Sequence, residues 1–446
     1  MGRDGIQVSI VRAMPIAPFL SFGLILAWSQ FANNAYGAID SLAAFGGVYR
    51  FANMASTLAN AATLLLAGCF SRRAASLVLS PRFSLGCGIV ASAASLGALL
   101  LSLAGAPDMQ LAMLLCALFA VAGSATGLLF VAVGSLYGRL IGRQAVFNLA
   151  WSHMLCGALF FVAVGMAHWH LGRAGDMLLP SAFYVLLPVA AGGLCAAALS
   201  VDPPESGFYS ADVRDIPAVF WKLVVVILVL CFAMSFTGAV SQGSLGTEGP
   251  LLRTRSNNFF RIVIALVLMM SVVFAKRGVF ELGRVYTAIM VSSVVVVTMA
   301  PVMDGEVAGW SQLSSAVLLV FRMLHWVVLC LIVYQKQLSP VLVFGLGAGV
   351  QALGNGLGLL FGFVAGDGLH EPSAQLLTSI VLTLLIILCA FVLFSEKSFD
   401  DLFAQRNEGD LDLAQLFAPL PAFAMGAEQR SAAGSCGVAE VDVCRR

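Results

Sequence analysis

The sequence predicts an all-α, polytopic membrane protein with twelve transmembrane helices in two six-helix bundles. Its composition is the first indication: 60% of the 446 residues are hydrophobic and only 11% are charged, with a mean hydropathy of +0.95. Soluble domains carry about 25% charged residues, so this chain has too few charges to cover a soluble surface. The second indication is a series of apolar stretches, each close to the ~20 residues that cross ~30 Å of hydrocarbon as a helix.

The apolar stretches fall into two sets of six, separated by one long polar segment. The first set lies at about 14–35, 51–70, 83–104, 111–136, 145–167 and 180–200. The second set lies at about 219–240, 258–275, 285–303, 313–333, 341–364 and 375–395. The sequence therefore predicts an N-terminal bundle (1–200), a cytoplasmic linker (201–217), a C-terminal bundle (218–395) and a cytoplasmic tail (396–446).

The distribution of Lys and Arg in the short loops predicts the orientation, since such residues concentrate on the cytoplasmic side. The side of the N-terminus holds thirteen, in loops or at span ends: Arg3, Arg12, Arg72, Arg73, Arg82, Arg139, Arg143, Arg214, Lys222, Lys276, Arg277, Arg284 and Lys336. Loops on the opposite side contain four: Arg50, Arg173, Arg253 and Arg255. We therefore expect both termini in the cytoplasm, and the protein in a bacterial cytoplasmic (inner) membrane.

Strongly polar side chains are concentrated in a few of the spans. Spans three, six, nine and twelve contain only small hydroxyls, apart from Gln375 at the start of span twelve. Polar residues inside a bilayer usually face a bundle interior or a wet cavity, so the others predict a central cavity. The candidate ligand-binding residues are Asn60 in span two, Ser152 and His153 in span five, Arg322, His325 and Trp326 in span ten, and Gln351 and Asn355 in span eleven.

This distribution resembles that of the major facilitator superfamily, in which spans three, six, nine and twelve lie outside a central cavity. The two halves also repeat a loop pattern, with Arg72-Arg73 before Arg82 in the first and Lys276-Arg277 before Arg284 in the second. The resemblance implies two related six-helix bundles over residues 1–395 and a small-molecule carrier. The loop GCFSRRAASLVLSPR lacks the acidic residue and the second Gly of the family pattern, a departure that disfavours active, conformation-coupled transport.

Arg322 is the most informative single residue, because it lies near the middle of its span. All 23 acidic residues lie outside the apolar stretches, so no span supplies it with a carboxylate. Central placement of an Arg costs about 2.5–3.5 kcal/mol on insertion scales and must be met by a partner or by water. Three roles stay open: a structural cation, a cation in cavity water, and a binding group for an anionic ligand. Arg261, near the predicted start of span eight, is expected at the membrane interface instead.

The sequence offers no chemistry for an enzyme. It has no paired carboxylates within the spans, no nucleotide-binding loop and no cluster with metal-ligand spacing, so we expect no catalytic residues, cofactor or metal. Eight of the ten Cys residues stand singly in apolar stretches, where thiols behave as small hydrophobes. Span eleven contains seven Gly residues, several of them four apart, a spacing typical of close helix packing.

The chain is also similar to the membrane half of bacterial LuxR-type regulators, in which a helix-turn-helix domain follows the last span. The end of the tail, EQRSAAGSCGVAEVDVCRR, is similar to the approach to such a domain, which is expected to be missing here. The tail is acidic, with five Lys/Arg and nine Asp/Glu, so we expect no direct nucleic-acid binding. The sequence is thus interpreted as a membrane sensor of a small, anionic molecule; the alternative is a secondary transporter of the major facilitator type. Besides the lipid bilayer and this ligand, no partner is predicted, and the oligomeric state stays open.

Overall fold

The structure is a computed structural model that describes the helical body of the protein. The described residues are 17–33, 46–103, 108–140, 142–170, 172–201, 216, 218–242, 249–274, 288, 291–299, 310–336, 338–366 and 372–394. The predicted tail at 396–446, nearly all of the linker and the loop containing Lys276–Arg284 lie outside them. Within the described residues, all regular structure is helical.

Thirteen helices follow one another along the described chain. Seven precede the linker: α1 (Ala17–Asn33), α2 (Gly46–Cys69), α3 (Ser71–Val78), α4 (Pro81–Leu103), α5 (Met109–Tyr137), α6 (Gly142–His170) and α7 (Gly172–Val201). Six follow it: α8 (Ala218–Gln242), α9 (Gly249–Phe274), α10 (291–299), α11 (Trp310–Lys336), α12 (Pro340–Gly366) and α13 (Pro372–Phe394). All except α3 correspond to the predicted spans one to twelve, in order.

The lengths and apolar character of these helices suit a membrane. Seven helices of the described chain are long and apolar enough to cross a bilayer by themselves, and α2 with α3 would make an eighth. Three more have shorter apolar segments, at Phe19–Ala32, Asn257–Val273 and Leu376–Cys389. The prediction of an all-α, multi-pass membrane protein is confirmed. The division into bundles at 201–217 stays a prediction.

Helix α3 is a short amphipathic helix in the loop between spans two and three. It turns by 110° from α2 and buries Ser71, Ala75 and Val78. The basic pair Arg72 and Arg73 is exposed on its other face. The Arg pair that contributed to the predicted orientation therefore lies on the surface of a helix rather than in an irregular loop.

Glycines allow α2 and α12 to pack with their backbones in contact. A Cβ added to Gly345 would lie 2.6 Å from the Cα of Gly68, and one on Gly68 would lie 2.8 Å from the backbone nitrogen of Leu346. Further along, a Cβ on Gly356 would lie 2.6 Å from a side-chain carbon of Leu58. The Gly spacing in span eleven thus serves close packing, as the sequence indicated.

The helices are tightly closed at the end of the bundle formed by the end of α5, the end of α11 and the start of α12. All residues of 131–140, 323–333 and 340–347 are buried. Here a Cβ on Gly138 would lie 2.6 Å from a methyl carbon of Val333, and one on Gly134 would lie 2.5 Å from the ring of Phe344. We call this region the closed end; it is the end for which the Lys/Arg distribution predicts a cytoplasmic location.

Candidate functional site

Arg322 lies in the middle of α11, twelve residues after Trp310 and fourteen before Lys336. Its Nη2 donates a hydrogen bond of 2.9 Å to Oδ1 of Asn355 on α12. The hydroxyl of Ser235 on α8 donates to the same oxygen, also at 2.9 Å. One amide oxygen thus joins three helices and orients the guanidinium. The Nε of Arg322 is buried without a hydrogen-bond partner, so this group has donor capacity that Asn355 does not use.

Arg261 does not lie at a helix end, contrary to the sequence-based expectation. Helix α9 begins at Gly249, nine residues before the predicted start, so Arg261 is twelve residues into a helix of 26. Its side chain is only 7% exposed. The Nη1 donates to the Sγ of Cys156 on α6 at 3.2 Å, and the Nε is buried without a partner. Arg261 is therefore a buried cation between α9 and α6.

Helix α9, which carries Arg261, packs against α11, which carries Arg322, and the charge of Arg261 acts on Arg322. Among the described side chains Asp108 is the only acid, and it caps the N-terminus of α5 by accepting a 2.7 Å hydrogen bond from the backbone of Leu111. That position is at the far end of α5 from the closed end. The region around Arg322 and Arg261 consequently carries two positive charges that no described carboxylate compensates.

His153 lies beside Arg261 in the same region. The imidazole is 4% exposed, and its Nδ1 is buried without a hydrogen-bond partner. Its electrostatic neighbour is Arg261, and its ring meets the ring of Phe22 edge-on at 6.1 Å. The structure thus brings together four candidates from four helices: Arg322, Asn355 and His153, which the sequence predicted, and Arg261, which it did not.

Ser152, the neighbour of His153, is not joined to the two arginines by any described hydrogen bond and takes part in helix packing. It is fully buried, its hydroxyl donates to the backbone carbonyl of Phe19 at 2.7 Å, and the hydroxyl of Tyr137 lies 2.8 Å from it. These bonds tie α6 to α1 and α5. Because its hydrogen-bonding capacity is already used, we leave Ser152 out of the site proposed below.

Trp326 and His325 lie on the closed side of Arg322. Trp326 stacks on Phe22 at 4.3 Å and meets the ring of Phe344 at a tilt of 49°, at 4.8 Å. It also contacts Phe130 and Tyr137, so its ring joins α11 to α1, α5 and α12. His325 is fully buried and stacks on Phe321 at 6.4 Å; its ring nitrogens make no regular hydrogen bond, and the backbone of Gly347 is beside them. We call Trp326 and its four ring partners the aromatic floor.

Asn60 and Gln351 occupy the two helices that pack side by side, α2 and α12. Asn60 is partly exposed and lies against α5, where a Cβ on Gly127 would be 3.4 Å from its amide carbon. Gln351 is partly exposed and shares a helical face with Asn355, four residues further on. Neither is joined to the two arginines by a hydrogen bond of the described structure. No group of three or more potential metal ligands occurs in the described residues.

Comparison with solved structures identifies the architecture. A bacterial homologue of the iron transporter ferroportin, in an outward-facing state with soaked iron, superposes with a TM-score of 0.60 at 13% identity, covering 87% of this chain and 99% of its own. The Escherichia coli xylose transporter XylE, in complex with 6-bromo-6-deoxy-D-glucose, gives 0.56 at 11% identity over 86% and 94%. The E. coli fucose:proton symporter FucP, in an outward conformation, gives 0.52 at 13% identity over 85% and 98%. The chain has the fold of the major facilitator superfamily.

Sequence comparisons add no closer relationship. No protein-family model matches the chain, and no curated protein matches it. The structural neighbours support the resemblance to major facilitator proteins that the polar distribution indicated. Nothing in these comparisons supports the interpretation as part of a LuxR-type regulator.

Proposed function

We propose that this protein is a secondary transporter of the major facilitator type that carries a small organic anion across the membrane. The proposal takes the alternative interpretation of the sequence in preference to a membrane sensor. Its support is the fold: the three neighbours are a ferroportin homologue, a xylose symporter and a fucose symporter, and each superposes over nearly its whole length. Their substrates differ from one another, so the substrate class has to be argued from the site of this chain.

The observation that carries the proposal is the position of Arg322 directly above a tightly closed end. Trp326 follows Arg322 by four residues, which is ~6 Å along a helix at ~1.5 Å per residue. The aromatic floor therefore separates the guanidinium from the end predicted to be cytoplasmic. A binding group in mid-membrane, shut off from one side, is the arrangement that alternating access requires. We assign this conformation to the part of the cycle in which the end predicted to be cytoplasmic is closed.

An anion is the substrate that matches this binding group. Asn355 occupies one nitrogen of Arg322 and holds the guanidinium in place, while the remaining donors are available for a ligand. A guanidinium presents its N–H groups as a planar fork that fits a carboxylate with two parallel bonds. A substrate carboxylate would supply the negative charge that no described side chain near Arg322 provides.

The test is flux in proteoliposomes. Three probes of nearly the same shape carry charges of −2, −1 and 0: succinate, succinamate and succinamide. We expect purified wild-type protein to catalyse counterflow of at least one radiolabelled anion and not of the neutral diamide. Arg322→Ala should abolish this flux and Arg322→Lys should reduce it, because an ammonium cannot form the two-pronged contact. Arg73→Gln, which removes an exposed Arg from α3, is the matched control and should behave as wild type.

Thermal unfolding with and without the probes separates the alternatives. If an anion stabilises the wild type but no flux is detected, the carrier proposal is contradicted and the interpretation as a membrane sensor is favoured. Equal stabilisation of wild type and Arg322→Ala by the same anion would show that Arg322 is not the binding group.

A further inference from the structure

We infer that the site is built for a doubly charged anion, with Arg261 as the second cation that binds it. This inference rests on the proposed function and specifies its substrate class. It assigns a role to a residue that the sequence placed at the membrane surface. Arg261 is on α9 and Arg322 on α11, so the two would hold the two ends, or two oxygens, of one ligand from different helices.

The first step of the argument is that Arg261 is buried without adequate compensation. At 7% exposure it cannot rely on bulk water. Its one described hydrogen bond goes to the thiol sulfur of Cys156, and sulfur is a weak acceptor. Its Nε has no partner at all. Because desolvating a cation costs several kcal/mol, a chain would retain such a residue only if something else supplies the negative charge.

The second step is that the neighbouring buried group does not supply it. His153 is 4% exposed, next to Arg261, and has an unpartnered Nδ1. A neutral imidazole contributes only a dipole, and a protonated one would add to the positive charge. His153 can, however, donate or accept one hydrogen bond from a ligand held between the arginines. The unpartnered imidazole nitrogen and the unpartnered guanidinium nitrogen give this place hydrogen-bonding capacity that a ligand could use.

The third step is charge balance. Helices α9 and α11 pack against each other and both pack against α6, so Arg261 and Arg322 bring two positive charges to one region of the bundle. A monoanion would leave one of the two charges uncompensated, whereas a dianion would neutralise both. A dicarboxylate or a phosphate monoester meets this requirement, and both present oxygens suited to guanidinium groups. Two of the structural neighbours are named as sugar symporters. A neutral sugar does not fit the site of this chain, because it would leave both positive charges uncompensated.

The experiment measures binding of the same three probes by calorimetry to purified protein. Wild type should bind succinate roughly tenfold or more tightly than succinamate. Succinamate has an amide in place of one carboxylate, so it forms one desolvated charge pair fewer with the two arginines. Arg261→Gln should remove that preference by weakening succinate binding alone, and Arg261→Lys should keep part of it. Arg73→Gln should keep the wild-type ratio. Ligand-free unfolding temperatures establish that each variant is folded.

Two results would overturn the inference. One is equal affinity of the wild type for succinate and succinamate, which needs no variant and so does not depend on the folding of Arg261→Gln. The other is an unchanged succinate-to-succinamate ratio in a folded Arg261→Gln protein. Either result can be accompanied by loss of binding of both succinate and succinamate in Arg322→Ala. In that case the proposed anion transporter stands and only the dianion assignment fails. If the wild type neither binds nor moves any of the anions, both fail.

Discussion

Replacing Gly345 with Ala should shift the protein away from the closed conformation, because the added methyl group has no room there. Its Cβ would lie 2.6 Å from the Cα and the nitrogen of Gly68 and 2.9 Å from the carbonyl oxygen of Leu64. These are backbone atoms, so no side chain can rotate away. Ordinary contact begins near 3.4 Å, so α12 and α2 must separate by about 1 Å, and overpacking of this kind costs about 1–3 kcal/mol.

The clash exists only while the closed end is closed. Gly68 is the penultimate residue of α2 and Gly345 lies near the start of α12, so both belong to the end that must open in the inward-facing state. The cost therefore falls on one conformation, and a bias of about 1–3 kcal/mol corresponds to a population shift of about 5- to 150-fold. The matched control is Gly193→Ala on α7, where an added Cβ would meet nothing within 4 Å.

The reactivity of an introduced cysteine measures this shift in conformational population. In a protein otherwise free of Cys, Val333→Cys places a reporter thiol at the buried closed end, opposite Gly138. Adding Gly345→Ala should raise its rate of reaction with a water-soluble maleimide severalfold or more, and Gly193→Ala should leave the rate unchanged. Identical rates in all three backgrounds, with all three proteins folded, would refute the argument that this helix contact holds the end shut.

Three other predictions follow from the packing and the charge distribution. Trp326→Ala should lower the unfolding temperature and expose the Val333→Cys reporter, because the four other rings of the aromatic floor lose their common partner; Trp326→Phe should do so less. Tyr137→Phe should cost about 1 kcal/mol in denaturant unfolding, since it deletes the hydroxyl 2.8 Å from Ser152; no change would mean that this bond contributes nothing. A Cys at the exposed Ser76 should react only with reagents applied from the cytoplasmic side, and labelling from outside intact cells would invert the predicted topology.

The fold could be predicted from the sequence because an apolar stretch of about 20 residues crosses a bilayer as a helix. Long apolar stretches must be helical in a bilayer, so their number and spacing indicated the architecture. Helix bounds were less accessible, since hydropathy registers only apolar residues. Helix α9 continues through the polar segment GPLLRTRSNN and begins at Gly249, with Pro250 in its first turn, where proline is well tolerated.

The site was only partly accessible for a related reason. Residue type and spacing identified Arg322, His153 and Asn355, but could not say which neighbour each would meet. Ser152 was a candidate from the same span as His153, yet its hydroxyl bonds to the carbonyl of Phe19, a partner 133 residues away. The role of Ser235, which bonds to Asn355, has no sequence signal, because isolated hydroxyls occur in most of the spans.

Arg261 shows how one tertiary contact changes a functional interpretation. With span eight starting at 258, the residue falls one turn inside the membrane, where a long cation can reach the interface. In the structure the apolar part of the helix still begins at Asn257, but Arg261 is buried and contacts Cys156 on α6. The contact depends on how α9 and α6 pack across the two halves of the chain, which a single sequence does not reveal.

The measurement that tests the transporter proposal most directly is succinate counterflow through a protein whose closed end can be locked. A Cβ on Gly138 would lie 3.1 Å from the Cβ of Val333, so a pair of Cys residues there needs a separation of only a few tenths of an ångström to reach the ~3.5–4.5 Å of a disulfide. Oxidation of Gly138→Cys/Val333→Cys should stop flux, and reduction should restore it. Undiminished flux through the oxidised protein would contradict alternating access at this end.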